Sequence, residues 1–463
     1  MSKIHEVRTW LQENFAALLA EHQVPGAAIA VLADGEVIDH AAGVLNKATG
    51  VESTVDSLFQ IGSITKVWTT TLIMQLVDEG RLDLDRPVRD YLPEFALGDD
   101  TAAAAITVRQ LTCHTAGFEG DFFTDTGRGS DAVEKLIPTL SDVPQLFPPG
   151  ERFSYNNAGY CVLGRIIEVL RGKCWDDCVR DHLFVPLGLT HAAVGPYDAI
   201  RYRAAVGHIV PKPGEEPVPA PVWALASSNA PAGSMLAMRP RDLLTFVRMH
   251  LNDGTADDGG RVLSPESSAA MREPQVEVPT LGIMGDRWGL GWMLFGWEGG
   301  EVIGHDGGTI GQSAFLRVVP ERKVAVALLT NGGQPVHVYH QVLGKLLDEL
   351  ADVKIPPLPQ PNPAAARADL SRYVGEYSSM VADNVVTAED GRLWIERTPK
   401  GIFAELSAAP PAKQELLPYL HDTFVAVLPE VPGLYLAHAF VGDDGTGRAQ
   451  FLHTGRADRR VSR

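Results

Sequence analysis

The sequence predicts an α+β domain followed by a smaller, separate all-β unit. Three observations carry this. Helical periodicity opens and closes residues 1–355, with strand patterns beside it and a mostly helical stretch between. A Pro-rich segment at 356–364 then interrupts the chain. Beyond it, 365–463 holds short β-like runs separated by turns. Apolar residues make up 45% and charged residues 21%, which excludes wholesale disorder and allows 463 residues two or three folding units.

Ile4, Val7, Trp10, Leu11, Phe15, Leu18 and Leu19 recur with the period of an amphipathic helix over 3–21. Runs at 26–33 and 36–43 flank Asp34-Gly35, a strong hairpin signal because both residues accept the positive φ of a tight turn. A helical pattern over 65–79 stops at Gly80, suited to a left-handed cap. From about 107 to 184 the pattern is mostly helical, including 157–171 and 174–184, with Pro148-Pro149-Gly150 as punctuation. Residues 190–230, rich in Pro and Ala, predict a surface excursion. Strand patterns return at 287–297, 300–305, 313–319 and 323–330, the last continuous enough for a buried central strand, and 336–351 reads as a closing helix. The spacer Pro356–Pro363 is expected to be stiff and extended. After it, Leu393–Glu396, Thr423–Val427, Tyr435–Val441 and Ala449–Leu452 have the spacing of a small sandwich or barrel.

Lys and Arg total 40 against 58 Asp and Glu, a formal charge of −18. Phosphate backbones and anionic lipid repel such a chain, so neither nucleic acid nor a membrane surface is an expected partner. The N-terminus lacks the apolar core of a secretory signal, and no apolar run approaches the roughly 20 residues of a membrane span. A soluble, cytoplasmic protein is the expectation. Cys113, Cys161, Cys174 and Cys178 are too few for a disulfide framework. Cys174 and Cys178 read as half-buried thiols on a core helix, and His337 and His340 have no third ligand nearby, so no metal and no cofactor is expected.

Ser63-Ile64-Thr65-Lys66 lies where a strand ending at Gly62 turns into a helix. Spacing of three on a helix puts the Ser hydroxyl and the Lys amine on one face, within reach of each other. A buried amine loses its proton more easily and can then accept the hydroxyl proton. The helix start also aims a backbone N–H and the positive dipole end at developing negative charge. Alone, Ser-x-x-Lys is weak, arising about once or twice by chance in a chain of this size.

Two further motifs follow it: Tyr155-Asn156-Asn157 at a helix start, and His305-Asp306-Gly307-Gly308 after a strand. In this order the chain resembles the serine β-lactamase and penicillin-binding-protein superfamily. The matching branch holds class C β-lactamases, D-alanyl-D-alanine carboxypeptidases, D-aminopeptidases and β-lactamase-like esterases. Leu111–Gly117 and Pro231–Ser234 match as well, and the resemblance covers about residues 5–350. It implies a β-lactamase/transpeptidase-like fold over 1–355, an antiparallel sheet flanked by helices, with a helical region of about 80–230 inserted. It also implies a lipocalin-like barrel over 365–463. Such appendages cover the active-site mouth, hold protomers together, or both, which leaves a homo-oligomer open. The basic tail Gly455–Arg460 is free to pair with the acidic main domain or to face solvent.

By the same resemblance Ser63 is the acylated nucleophile and Lys66 its general base. Tyr155 shares proton transfer, and Asn157 holds an acyl-side amide or carbonyl while orienting Lys66. The N–H groups of Ser63 and Gly308 form the oxyanion hole. His305 lends positive potential or hydrogen-bonds Tyr155, and Asp306 and Gly307 contribute to substrate binding. Structural readings stand beside these: Ser63 or Asn157 as helix caps, Tyr155 as a core aromatic, His305 as a strand histidine, His114 as a turn brace. The expected activity is a serine hydrolase acting on small esters, amides or short peptides, D-amino-acid peptides included. β-Lactam hydrolysis, D-alanyl-D-alanine carboxypeptidase activity and a non-turnover receptor are the alternatives. Asp306 departs from the hydroxyl-bearing third motif of carboxylate-binding members; facing the cleft, it would favour a neutral or cationic group. A conventional α/β-hydrolase is disfavoured, because Gly311-Gln-Ser313-Ala-Phe315 lacks the closing Gly of the nucleophile elbow.

Overall fold

Asp34 and Gly35 take φ of 53° and 76°, the pair of positive values a two-residue hairpin turn requires, and join β1 (Gly26–Ala33) to β2 (Glu36–Asn46). The computed structural model describes residues 2–212, 214–365, 367, 369–401, 404, 413–428 and 433–461. Seven more strands join this hairpin: β3 (Val51–Glu52), β4 (Val276–Glu277), β5 (Arg287–Trp288), β6 (Met293–Trp297), β7 (Gly300–Thr309), β8 (Gln312–Val319) and β9 (Val324–Thr330). The sheet runs β3-β2-β1-β9-β8-β7-β6-β5-β4, antiparallel at every pairing.

Strand alternation divides the core in two. Ala27, Ile29 and Val31 of β1 and Val324, Val326 and Leu328 of β9 face α1 (Lys3–Glu21) and the closing helix, Pro335–Ala351. Ala28, Ala30, Ala325, Ala327 and Leu329 face the helical region, including α2 (Thr65–Asp78), α3 (Asn157–Arg171) and α4 (Pro240–Leu251). Both faces are covered, so the β9 run is apolar throughout; the closing helix is α5.

The structure corrects three element expectations. Residues 113–131 and 141–156 hold no α-helix, because Gly117 (φ 82°), Pro144, Pro148, Pro149 and Gly150 (φ 86°) interrupt the pattern. The 190–230 excursion ends in a buried turn, Ser227–Ala232. β7 continues through His305-Asp306-Gly307-Gly308 rather than ending before them.

The C-terminal strands are β10 (Gly375–Ser378), β11 (Ala382–Glu389), β12 (Arg392–Pro399), β13 (Lys413–Leu420), β14 (Thr423–Val427), β15 (Tyr435–Val441), β16 (Phe451–His453) and β17 (Ala457–Arg460). They form a closed barrel, Tyr377 pairing with Arg460 across the seam, around Tyr373, Tyr377, Phe424 and Phe440. The closed eight-stranded barrel and the nine-stranded antiparallel sheet covered by helices on both faces agree with the architecture expected from the sequence. Its β16–β17 turn lies along residues 153–155. Tyr155 N donates to Gly455 O at 3.0 Å, Ala457 N to Ser154 Oγ at 3.1 Å, and His453 Nε2 to Phe153 O at 3.0 Å. No helix among the described residues is long and apolar enough to cross a membrane.

Candidate active site

Gly62 has φ 51°, and a Cβ there would stand 2.5 Å from Gly308 N. Only glycine allows this turn (Gly62–Ile64) to lie against β7, and the turn leads directly into α2. Gly307 is bound by the same contact: its Cβ would meet Ile61 O at 1.9 Å, whereas Gly308 opens on empty space. Ser63 is thereby half-exposed on a turn whose neighbour is the Gly308 N–H, at the positive end of a 14-residue helix.

One helical turn on, Lys66 is fully buried. Its Nζ lies 3.1 Å from Ser63 Oγ, 2.7 Å from Asn157 Oδ1 and 2.6 Å from Ala232 O. Burial, and then the Arg456 cation, holds the amine well below its ordinary value of 10.5. A neutral amine has two N–H donors and one lone pair. Asn157 and Ala232 offer only acceptors, so the lone pair is left for the Ser63 hydroxyl.

Tyr155 is buried, and burial raises its hydroxyl above the ordinary phenol value against the opposing effect of Ser63, so it carries its proton. Asn156 caps α3 by accepting from Gly159 N at 2.7 Å, which leaves the next side chain, Asn157, to face Lys66. Asn157 Nδ2 donates to Asp121 Oδ1 at 2.7 Å. Asp121 also accepts from Arg456 Nη2 of the β16–β17 turn at 3.3 Å, with Nε of the same ion pair 2.8 Å from its other oxygen, and the guanidinium carbon stands 4.7 Å from the Tyr155 ring centroid. Asp121 escaped the sequence reading, since nothing in its local pattern marks it. Arg456 carried a signal only as part of a basic tail.

The setting of His305 opposes a positive charge. Fully buried behind Tyr155, it is pushed down to about 3 by desolvation, and its Nδ1 lies 2.7 Å from Asp306 O. His114 braces the bend before α3: its Nδ1 accepts from Asn156 N at 2.9 Å. Ser63, Tyr155, Asn157, Asp306 and Gly308 line one cavity of about 880 Å³, closed on one side by barrel residues including Arg456 and Tyr419. Cys174 precedes the helix Trp175–Val179 and Cys178 is buried within it. Among the described residues, no group of three or more His, Cys, Asp or Glu is placed to hold a metal.

The "Beta-lactamase" family model matches residues 11–347. A protein named penicillin-binding protein 4, from Amycolatopsis lactamdurans, is 45% identical over 367 residues, 79% of this chain and 96% of that one. The crystal structure of SurE superposes with a TM-score of 0.79 at 32% identity, covering 99% of this chain and 100% of the other; a further SurE structure contains D-Leu. The D-amino acid amidase of Ochrobactrum anthropi SV3, complexed with L-phenylalanine amide, aligns at 25% identity with a TM-score of 0.60, over 74% of this chain and 99% of that one.

Proposed function

The chain belongs to the β-lactamase family, as a serine hydrolase of the β-lactamase and penicillin-binding-protein type, and from that premise we propose that it forms an acyl-enzyme on Ser63 with amides or esters of D-amino acids and short peptides containing them. The observation that carries this reading is the setting of Lys66: two acceptors hold its N–H groups and its remaining direction points at Ser63 Oγ. The Ser63 proton passes to Lys66 as Oγ attacks the carbonyl carbon. The N–H groups of Ser63 and Gly308 receive the oxyanion. The departing amine or alkoxide takes its proton through the Tyr155 hydroxyl, which is replenished from Lys66. Water then repeats the sequence, giving its proton to the same pair and releasing the acid.

The D-amino-acid preference is supported by the likeness to SurE, one structure of which holds D-Leu, and to a D-amino acid amidase. The test pairs a serine-directed fluorophosphonate, read by intact mass, with a panel of D- and L-aminoacyl amides and esters plus a β-lactam. One adduct on Ser63 and faster turnover of D-configured amides are expected. Ser63→Ala should lose activity by at least about 10⁴-fold with an unchanged melting temperature. Undiminished turnover in that variant rejects the site, and preference for the β-lactam rejects the substrate class.

A further inference from the structure

Arg317 of β8 is a charge in the interior, with 2% of its side chain exposed. Gly304, directly across the β7–β8 ladder, makes room for it: a Cβ there would meet Leu316 O at 2.2 Å and Arg317 Cδ at 3.2 Å. Phe295, Trp297 and Tyr339 surround the guanidinium carbon at 4.6, 5.7 and 4.9 Å to their ring centroids. Its Nη1 and Nη2 donate to the two oxygens of Asp306 at 2.6 and 3.0 Å, and Nη1 also donates to Leu316 O at 2.9 Å. A desolvated guanidinium presenting two N–H groups to two oxygens is the arrangement proteins use to select carboxylates.

Asp306 is held less deeply, with 28% of its side chain exposed, and both residues line the cavity that contains Ser63. Asp306 precedes Gly308, the proposed oxyanion-hole residue, by two strand positions, about 7 Å, the rise of two extended residues, so the fork lies alongside the departing half of a bound substrate. We propose that Arg317 is a carboxylate receptor of this cavity that the chain's own Asp306 occupies. Substrates must then be neutral where the departing half meets this fork, and a free carboxylate there is turned away. Exclusion works by occupancy of the guanidinium fork. Net negative charge is not its basis, because Arg317 balances Asp306; of the neutral or cationic preference expected from the sequence, the proposal keeps the neutral one.

The proposal rests on the Ser63 reading, and matched probes separate the two. N-acetyl-D-alanyl thioesters of thioglycolate and of thioglycolamide differ only in carboxylate against carboxamide on the departing half. The wild type should favour the carboxamide. Asp306→Asn, which keeps the shape, and Asp306→Gly, which leaves a carboxymethyl-sized hole, should each raise the acid-to-amide ratio of kcat/KM by about tenfold. Formate should raise the melting temperature of Asp306→Gly and inhibit only its hydrolysis of the acid probe. Adding Arg317→Met to Asp306→Asn should return the ratio to the wild-type value. A ratio within about twofold of wild type, in a variant still cleaving the carboxamide probe, overturns the proposal. Loss of Asp306 strands a buried cation and threatens folding. If both variants unfold, recovery by formate or acetate but not chloride supports the receptor, and recovery by no carboxylate overturns it. A wild type that cleaves neither probe and takes no phosphonate fails the Ser63 reading instead.

Discussion

At the scale of single residues the proposed chemistry turns on the proton state of Lys66. A protonated amine has no lone pair for Ser63, so activity requires the deprotonated form. Burial and Arg456 both disfavour the charged form, which places the transition well below 10.5. The expected pH profile of kcat/KM therefore rises through a single acid limb far below the ordinary lysine range. Arg456→Met removes a neighbouring cation and leaves the Asp121 carboxylate unpaired, and both changes favour the lysine cation. The limb should move to higher pH in that variant, while Arg456→Met combined with Asp121→Asn should lie between the two. An Arg456→Met profile superimposable on wild type would separate Arg456 from the proton chemistry altogether. A loss of kcat/KM equal at every pH would indicate lost packing rather than an electrostatic role.

At the scale of elements, the contact between the Ser63 turn and β7 sets where the proposed mechanism receives its oxyanion. Gly307→Ala drives a methyl into Ile61 O, which has nowhere to go because it is itself backbone. That variant should lose about 1–3 kcal/mol of stability in denaturant titration and lose kcat. Gly308→Ala meets no atom within 4 Å and should keep wild-type stability, its methyl entering the cavity. Equal stability of the two variants would show that the contact is looser than described. The same glycines explain what was legible in the sequence. Asp34-Gly35, the Ser63–Lys66 spacing and the α5 pattern are local, so their residues alone announced them. Gly307-Gly308 read as the end of a strand because glycine usually breaks one. Here glycine continues the strand because another backbone lies against it, a long-range cause that no local pattern carries. Prolines and glycines between 113 and 156 were outvoted by apolar residues of helical spacing. That irregular path brings Asp121 to the site and sets His114 under α3. The charge of His305 was not legible for a related reason: whether a histidine is charged depends on its burial, which a sequence does not display.

At the scale of the whole molecule, the Pro-rich spacer announced a second unit, but not that this unit would reach into the site. Arg456 meets Asp121 across 335 residues of chain. The barrel's attachment is also titratable. Met380 N donates to Glu119 Oε1 at 3.0 Å, and burial pushes Glu119 up from 4.5 to about 7, with Asp458 and Asp121 adding to the rise against Lys400 and the Met380 N–H. Asp458 is likewise pushed up, to about 6, chiefly by desolvation. A carboxyl with a raised value binds its proton more tightly folded than unfolded. Its contribution is therefore fully present below about 4.5 and is lost as the pH rises through about 7. The full shift at Glu119 corresponds to about 3 kcal/mol. Glu119→Gln keeps an acceptor for Met380 N and removes the ionisation. Wild type and variant should melt at similar temperatures at pH 5. Between pH 5 and pH 8 the wild type should fall by several degrees more than the variant, the gap opening across pH 6–7.5. Melting curves that stay parallel over that range would show that Glu119 ionises without cost, and that the barrel's hold on the main domain is insensitive to this carboxyl.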